Sequence, residues 1–185
     1  MGEFLFAPNM IMIGSFGRNS GKTEFASALL RKWSGEFPVA ALKVTTFTGD
    51  DNPALSPADD YLLIEDSGGG GGKDTARLFS AGAQSVYWLR AAKQALLSGF
   101  QAYCKKVGGD TLIICESNSL RQYVKPGCFI LLKNKNSDTE KPTATAVSEY
   151  ADIVFENDAV STDLGQLTKL VQVESIGCTV TARRT

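Results

Sequence analysis

The sequence predicts an α/β fold, a three-layer sandwich built on a mainly parallel sheet. Three observations predict it. Short, continuous apolar runs alternate along the chain with segments of helical periodicity. A glycine-bearing loop joins the first such run to the first helix. No internal repeat or linker breaks the pattern across 185 residues, a length that suits one domain with a full core.

Taken in order, Asn9-Met-Ile-Met-Ile13 reads as a buried strand ending at Gly14. A helix follows from Thr23, with Phe25, Leu29 and Trp33 four apart on one face, and stops near Ser34-Gly35. Val39–Val44 is a second strand, short and apolar enough for the centre of a parallel sheet. Residues 45–72 are the least regular stretch, with a short strand at Tyr61–Ile64 and five successive glycines, Gly68 to Gly72, expected to be mobile. A helix is expected over Lys73–Gly82, a strand over Ser85–Leu89, and a long helix on Ala92, Ala95, Leu96, Gly99, Phe100, Tyr103 and Val107, stopped by Gly108-Gly109. Strands at Thr111–Cys115, Cys128–Leu132 and Asp152–Phe155, a closing helix over Thr162–Val173 and a strand at Cys178–Ala182 complete the reading.

Composition narrows the function. With 43% hydrophobic and 21% charged residues the chain resembles ordinary soluble proteins. Nineteen basic against 20 acidic residues give a net charge of -1, so no global field favours nucleic acid or anionic lipid. The absence of histidine removes imidazole ligands, Ser-His triads and imidazole acid–base chemistry. Cys104, Cys115, Cys128 and Cys178 form no C-x-x-C pair and read as buried, reduced thiols. No apolar stretch reaches the roughly 20 residues of a membrane span, and no basic region precedes an apolar one at the start, so the cytoplasm is expected.

The chemistry concentrates in Gly17-Arg18-Asn19-Ser20-Gly21-Lys22-Thr23. A loop between strand and helix presents unpaired N–H groups and the positive end of the helix dipole, a phosphate cradle. Gly17, Asn19, Ser20, Gly21, Lys22, Thr23 and Glu24 are the expected nucleotide contacts, with Lys22 on the β- and γ-phosphates and Thr23 on Mg²⁺. The strict P-loop motif wants glycine at position 16, where this chain has Phe16, with glycines at 14 and 17 instead. Arg18 is a candidate for transition-state charge on the γ-phosphate, in cis or across a dimer. Glu116, ending an apolar strand, is the candidate second metal-site residue, by water or directly, or positions an attacking water. Asp50 and Asp51 are further metal candidates, although turn formation is the better reading of each taken alone. Lys43, expected to close a strand beside the phosphate-loop strand, is placed to meet a second, phosphate-bearing substrate. Asn134 and Lys135 sit where many guanine-binding proteins carry Asn-Lys-x-Asp, but Asp138 is one residue too far along, so GTP is favoured over ATP only by position.

These residues together resemble a known family. The strand–GRNSGKT–helix opening, the strand with Lys43, Gly72-Lys73-Asp74-Thr75-Ala-Arg77 with Ala81-Gly82-Ala83, and the strand ending in Glu116 are similar, in that order, to molybdopterin-guanine dinucleotide biosynthesis protein B. The similarity spans about residues 9–135, with Tyr150–Val154 a weaker echo. It implies a P-loop nucleotide-binding fold, GTP binding with weak Mg²⁺-dependent GTPase activity, a possible homodimer, and a molybdopterin guanylyltransferase as partner. It also implies that Lys73 and Asp74 shape the ligand cleft. Two features depart from it. Thr45-Thr46 replace the histidines that usually follow the strand lysine, and the glycine tract replaces an Asp- and His-rich loop.

Two other readings stand beside this one. The first is an ATP-dependent ligase or kinase of the dethiobiotin-synthetase-like branch, and the second a nucleotide-dependent switch or metal-delivery chaperone. Trp33, Trp88 and the Cys178–Ala182 strand are candidate dimer surface, or equally a monomer core.

Overall fold

An apolar run with no polar face must be covered on both sides, and Met10-Ile-Met-Ile13 is such a run. In a computed structural model, which describes residues 4–17, 20–47, 60–66, 72–135, 140–157, 164–174 and 179–182, these four side chains are fully buried. Met10 and Met12 face one side of a sheet, Ile11 and Ile13 the other.

The elements are β1 (Leu5–Ser15), α1 (Lys22–Trp33), β2 (Val39–Phe47), β3 (Tyr61–Asp66), α2 (Lys73–Ser80), β4 (Ser85–Ala92), α3 (Leu96–Val107), β5 (Leu112–Glu116), β6 (Val124–Asn134), α4 (Pro142–Thr145), β7 (Ile153–Asn157), α5 (Leu164–Lys169), β8 (Val171–Glu174) and β9 (Thr179–Ala182). Seven strands form one sheet in the order β3-β4-β2-β5-β1-β6-β7. Every pairing in it is parallel except β3 with β4. Phe25, Leu29, Leu30 and Trp33 of α1 and Leu78 of α2 fill the core on one face, while Leu96, Phe100 and Tyr103 of α3 fill it on the other. Helices thus flank the sheet on both faces, consistent with the three-layer arrangement. None of the described helices is long and apolar enough to cross a membrane.

Several expectations are corrected. Lys43 does not close its strand, because β2 runs on through Phe47 and pairs with β4 as far as Ala92. Nor is β2 beside the phosphate-loop strand; β5 lies between them. The helix expected from Ala92 begins at Leu96, since Ala92 is held by pairing with Phe47 and by its N–H donated to Asp60 O at 2.9 Å. The closing helix shrinks to α5, because Val171-Gln-Val-Glu174 pairs antiparallel with Thr179–Ala182. Alternation of β-branched residues with a strand partner outweighs the helical period there. The Gly68–Gly71 part of the glycine tract lies outside the described residues.

Of the two readings of Trp33, the monomer core is the one the structure favours. The side chain is 8% exposed and shares a core cluster with Val171 and Val180 of the β8–β9 hairpin, so it offers no dimer surface. Trp88 is half-buried, its indole N–H donating to Thr45 Oγ1 at 2.9 Å. Cys115 and Cys128 are buried free thiols and Cys104 is a half-buried one. Burial pushes Cys104 up to about 11 and Cys128 up to about 12, which keeps them protonated and unreactive.

The Trp33 indole N–H is buried without a partner. Trp33→Ala is therefore expected to cost about 3–5 kcal/mol in urea unfolding, and Trp33→Phe much less, since it removes the unpaired donor along with the volume. Equal losses would mean that the N–H is satisfied.

Candidate functional site

Parallel pairing brings the C-terminal ends of β1, β2, β5 and β6 to one side of the sheet, where ligand crevices of such sheets lie. Glu116 ends β5 there, in register with Ile13 on β1 and Lys43 on β2. Partners in parallel register share a face, so Glu116 and Lys43 project toward the side covered by α1 and α2.

Two helix starts meet them. At the first turn of α1, the Thr23 hydroxyl donates to Glu116 Oε2 at 3.3 Å. Glu116 is 5% exposed, and its Oε1 is buried without any hydrogen-bond partner. Burial raises its pKa above the ordinary carboxylate value, opposed chiefly by the Lys22 charge. At the start of α2, Asp74 Oδ2 accepts from Lys43 Nζ at 2.5 Å. Lys73 beside it is exposed.

The loop before α1 is built from its glycines. Gly21 takes φ 77°, a left-handed value that a side chain would resist, and its carbonyl accepts the Phe25 N–H at 2.9 Å. Lys22 Nζ turns back to donate to Ser15 Oγ at 2.8 Å, while Ser15 Oγ and Ser20 Oγ both donate to Gly17 O, at 2.9 and 3.1 Å. Burial lowers the Lys22 pKa first, then the neighbouring Lys141 charge, with Glu116 acting against both. Glu24 is turned away from the loop, its carboxylate 3.5 Å from Arg77 of α2 on the exposed flank. Asn134 ends β6 and Lys135 follows it, two and three residues beyond Leu132, the register partner of Ser15. Arg18, Asn19, Asp50, Asp51 and Asp138 lie outside the described residues.

Sequence reasoning missed Ser15, Asn118, Lys141 and Thr143. Asn118 clamps the end of β1, its Oδ1 accepting the Ser15 N–H at 2.8 Å and its Nδ2 donating to Ser15 O at 2.9 Å and to Thr143 Oγ1 at 3.3 Å. Position 14 must be glycine for this to happen, since a Cβ there would stand 2.5 Å from Asn118 Oδ1. Lys141 donates its N–H to Phe16 O at 2.7 Å, directly before the proline that opens α4. Asn118, Lys141 and Thr143, together with Lys22, Lys43, Thr45, Thr46, Glu116 and Ser117, line a cleft of about 220 Å³.

The donor set fits Mg²⁺. A hard cation takes oxygen ligands, and Mg²⁺ uses one or two protein oxygens with phosphates and water rather than a full protein cage. Glu116 with its unpartnered oxygen and the Thr23 hydroxyl supply that pair, and the described residues hold no cluster of three His, Cys, Asp or Glu for an all-protein site. No protein-family model matches the chain, and comparison with curated proteins and with solved structures gives no match either.

The raised Glu116 pKa has a stability consequence. Its folded value lies above the unfolded one, so the protonated acid stabilises the fold at low pH and this contribution is lost as pH rises through the folded value. At neutral pH the carboxylate is thus a burden on the metal-free protein. Glu116→Gln should leave the Tm without added metal unchanged or raised near pH 7, and flatten the fall in Tm as pH rises above the ordinary carboxylate range. A drop of several degrees would mark Glu116 as a structural acid.

Proposed function

We propose that the chain is a Mg²⁺-dependent P-loop nucleoside triphosphatase. The observation that carries this reading is the meeting of Lys22, Thr23 and Glu116 behind the glycine-bearing loop, with one Glu116 oxygen buried and unpartnered. A structural acid in that position would have its hydrogen bonds satisfied.

In this reading, the loop N–H groups and the start of α1 bind the phosphates. Lys22 leaves Ser15 Oγ to reach the β- and γ-phosphates, whose charge favours the ammonium form that burial disfavours. Thr23 and Glu116 would hold Mg²⁺, which would supply positive charge against the negative charge developing during phosphoryl transfer. Glu116 also orients the attacking water, since no histidine exists to do so. GTP is the favoured nucleotide, on the position of Asn134 and Lys135 at the end of β6. The role we propose is that of the accessory protein of molybdopterin guanine dinucleotide biosynthesis, acting with a guanylyltransferase, in keeping with the resemblance carried by Gly72–Arg77 and Ala81–Ala83. The second reading, an ATP-dependent ligase or small-molecule kinase, is favoured by the Lys43–Asp74 pair beside the Glu116 carboxylate.

Lys22→Ala should weaken triphosphate binding roughly 10- to 100-fold, the equivalent of a lost hydrogen bond to a charged group, with the circular dichroism spectrum unchanged. Unchanged affinity in calorimetry would overturn the phosphate site. Glu116→Gln should reduce Mg²⁺-dependent hydrolysis by about 100-fold or more while changing nucleotide affinity far less. Direct titration with GTP and ATP separates the two readings: a clear ATP preference sinks the GTP-dependent role and favours the ligase or kinase.

A further inference from the structure

At the end of β1 remote from the phosphate loop, the strand runs past its neighbour. β1 begins at Leu5, but its pairing with β5 begins only at Met10 against Ile113. Leu5–Asn9 therefore lie against β6 on one side and against no described strand on the other. The chain entering β5 does not cover this edge. Gly108, at φ 78°, turns it out of α3, and Asn9 Nδ2 fixes it farther along, donating to Gly109 O at 3.2 Å and to Thr111 O at 2.7 Å.

A cleft of about 630 Å³ lies along the open edge, within the roughly 300–1,000 Å³ of clefts that enclose a ligand. Every residue from Leu5 to Asn9 lines it. Successive side chains of a strand point to opposite faces, so a cleft on one face touches alternate residues, and one touching every residue runs along the edge. Its far wall is Phe100, Gln101, Cys104 and Lys105 of α3. The Leu5 N–H donates to Tyr123 O, on the β6 side, at 3.0 Å. The N–H and C=O of Phe6, the next residue, therefore point the other way, into the cleft.

Charge at this edge is one-sided. Lys105 is the one charged residue of the lining; it is exposed and has no ion pair or hydrogen bond among the described residues. Lys125, the register partner of Phe6 on β6, holds its ammonium 5.9 Å from the Phe6 ring, which is 60% exposed.

We propose that the Leu5–Asn9 edge takes an extended, acidic peptide segment of another protein, which adds to the sheet in line with β5. Its backbone pairs with Phe6, an apolar side chain lies between β1 and α3, and a carboxylate meets Lys105. Main-chain groups at a strand edge are matched only by an extended chain, the apolar wall receives alternate side chains, and the lysines select acid. A second copy paired through the same edge would bring Lys105 and Lys125 against their own equivalents, which like charge opposes. The surface lies away from the phosphate loop and does not depend on the triphosphate reading.

The test uses the full chain and a library of short acetylated peptides that alternate apolar residues with aspartate or glutamate. A matched library carries lysine at the acidic positions, and binding is read by fluorescence anisotropy. The acidic library should yield members with Kd below about 1 mM, and their lysine counterparts should bind about tenfold more weakly or worse. N-methylating the central amides of the tightest member should cost about tenfold or more. Phe6→Pro removes an edge N–H that the pairing with β6 does not use, and should cost as much. Lys105→Glu should weaken the acidic peptide about fivefold and remove the preference for acid over lysine; it serves if Phe6→Pro is poorly folded. An acidic library without binders, equal binding of the N-methylated peptide, or indifference to either folded variant overturns the proposal. Sedimentation of the free chain supplies the last outcome. A dimer that Phe6→Pro dissociates would mean that a second copy covers the edge, and would overturn the proposal as well.

Discussion

Burying the Glu116 carboxylate at the end of β5 costs solvation that one hydroxyl at 3.3 Å does not return. Desolvation raises its pKa, and the second oxygen stays unpaired. The surrounding structure reduces this cost by position. Lys43 is its register neighbour on β2, and Lys22 is the largest influence favouring the charged form. The two cations are themselves tied elsewhere, Lys22 to Ser15 and Lys43 to Asp74. The site therefore holds a buried carboxylate whose hydrogen bonds are incomplete, a condition concentrated at functional sites.

The strand order produces this arrangement. With β5 between β1 and β2, its terminal acid stands between the strand that feeds the loop and the strand that carries Lys43. Had β2 lain directly beside β1, Lys43 would have come next to the loop and Glu116 would have been displaced outward. The α1 and α2 helix starts then complete the set on one face, Thr23 against Glu116 and Asp74 against Lys43. Each pair joins residues far apart in sequence, so the geometry depends on the sheet being fully formed.

That dependence explains what could be read in the sequence. Continuous apolar runs announce central parallel strands, and Phe25, Leu29 and Trp33 announce the buried stripe of α1, because both patterns are local. Gly21, Lys22 and Thr23 were legible for the same reason: a left-handed glycine before a helix start is a local requirement. Asn118 and Lys141 were not legible. Asn118 matters because it grips the Ser15 backbone from another strand end, and Lys141 because its N–H ties to Phe16. Nothing within a few residues of either reports those partners. Val171–Glu174 was misread because its strand partner, Thr179–Ala182, is invisible to a periodicity taken one window at a time.

The pKa shifts at the site run in opposite directions for a common reason. Burial raises Glu116 and lowers Lys22, so both groups lean toward their neutral forms. A polyanion with a divalent cation would reverse both leanings together, since the phosphate favours charged Lys22 and the metal favours ionised Glu116. Ligand binding is then linked to folding stability through two groups rather than one. The pH dependence of any chemistry there follows from how far the ligand pulls each back toward its ordinary value. The two sides are unequal. In the proposed reading, Glu116 offers the metal an unpaired oxygen, whereas Lys22 gives up Ser15 to reach phosphate. On that reading the metal half of the site would be preorganised, and the phosphate half would require Lys22 to move.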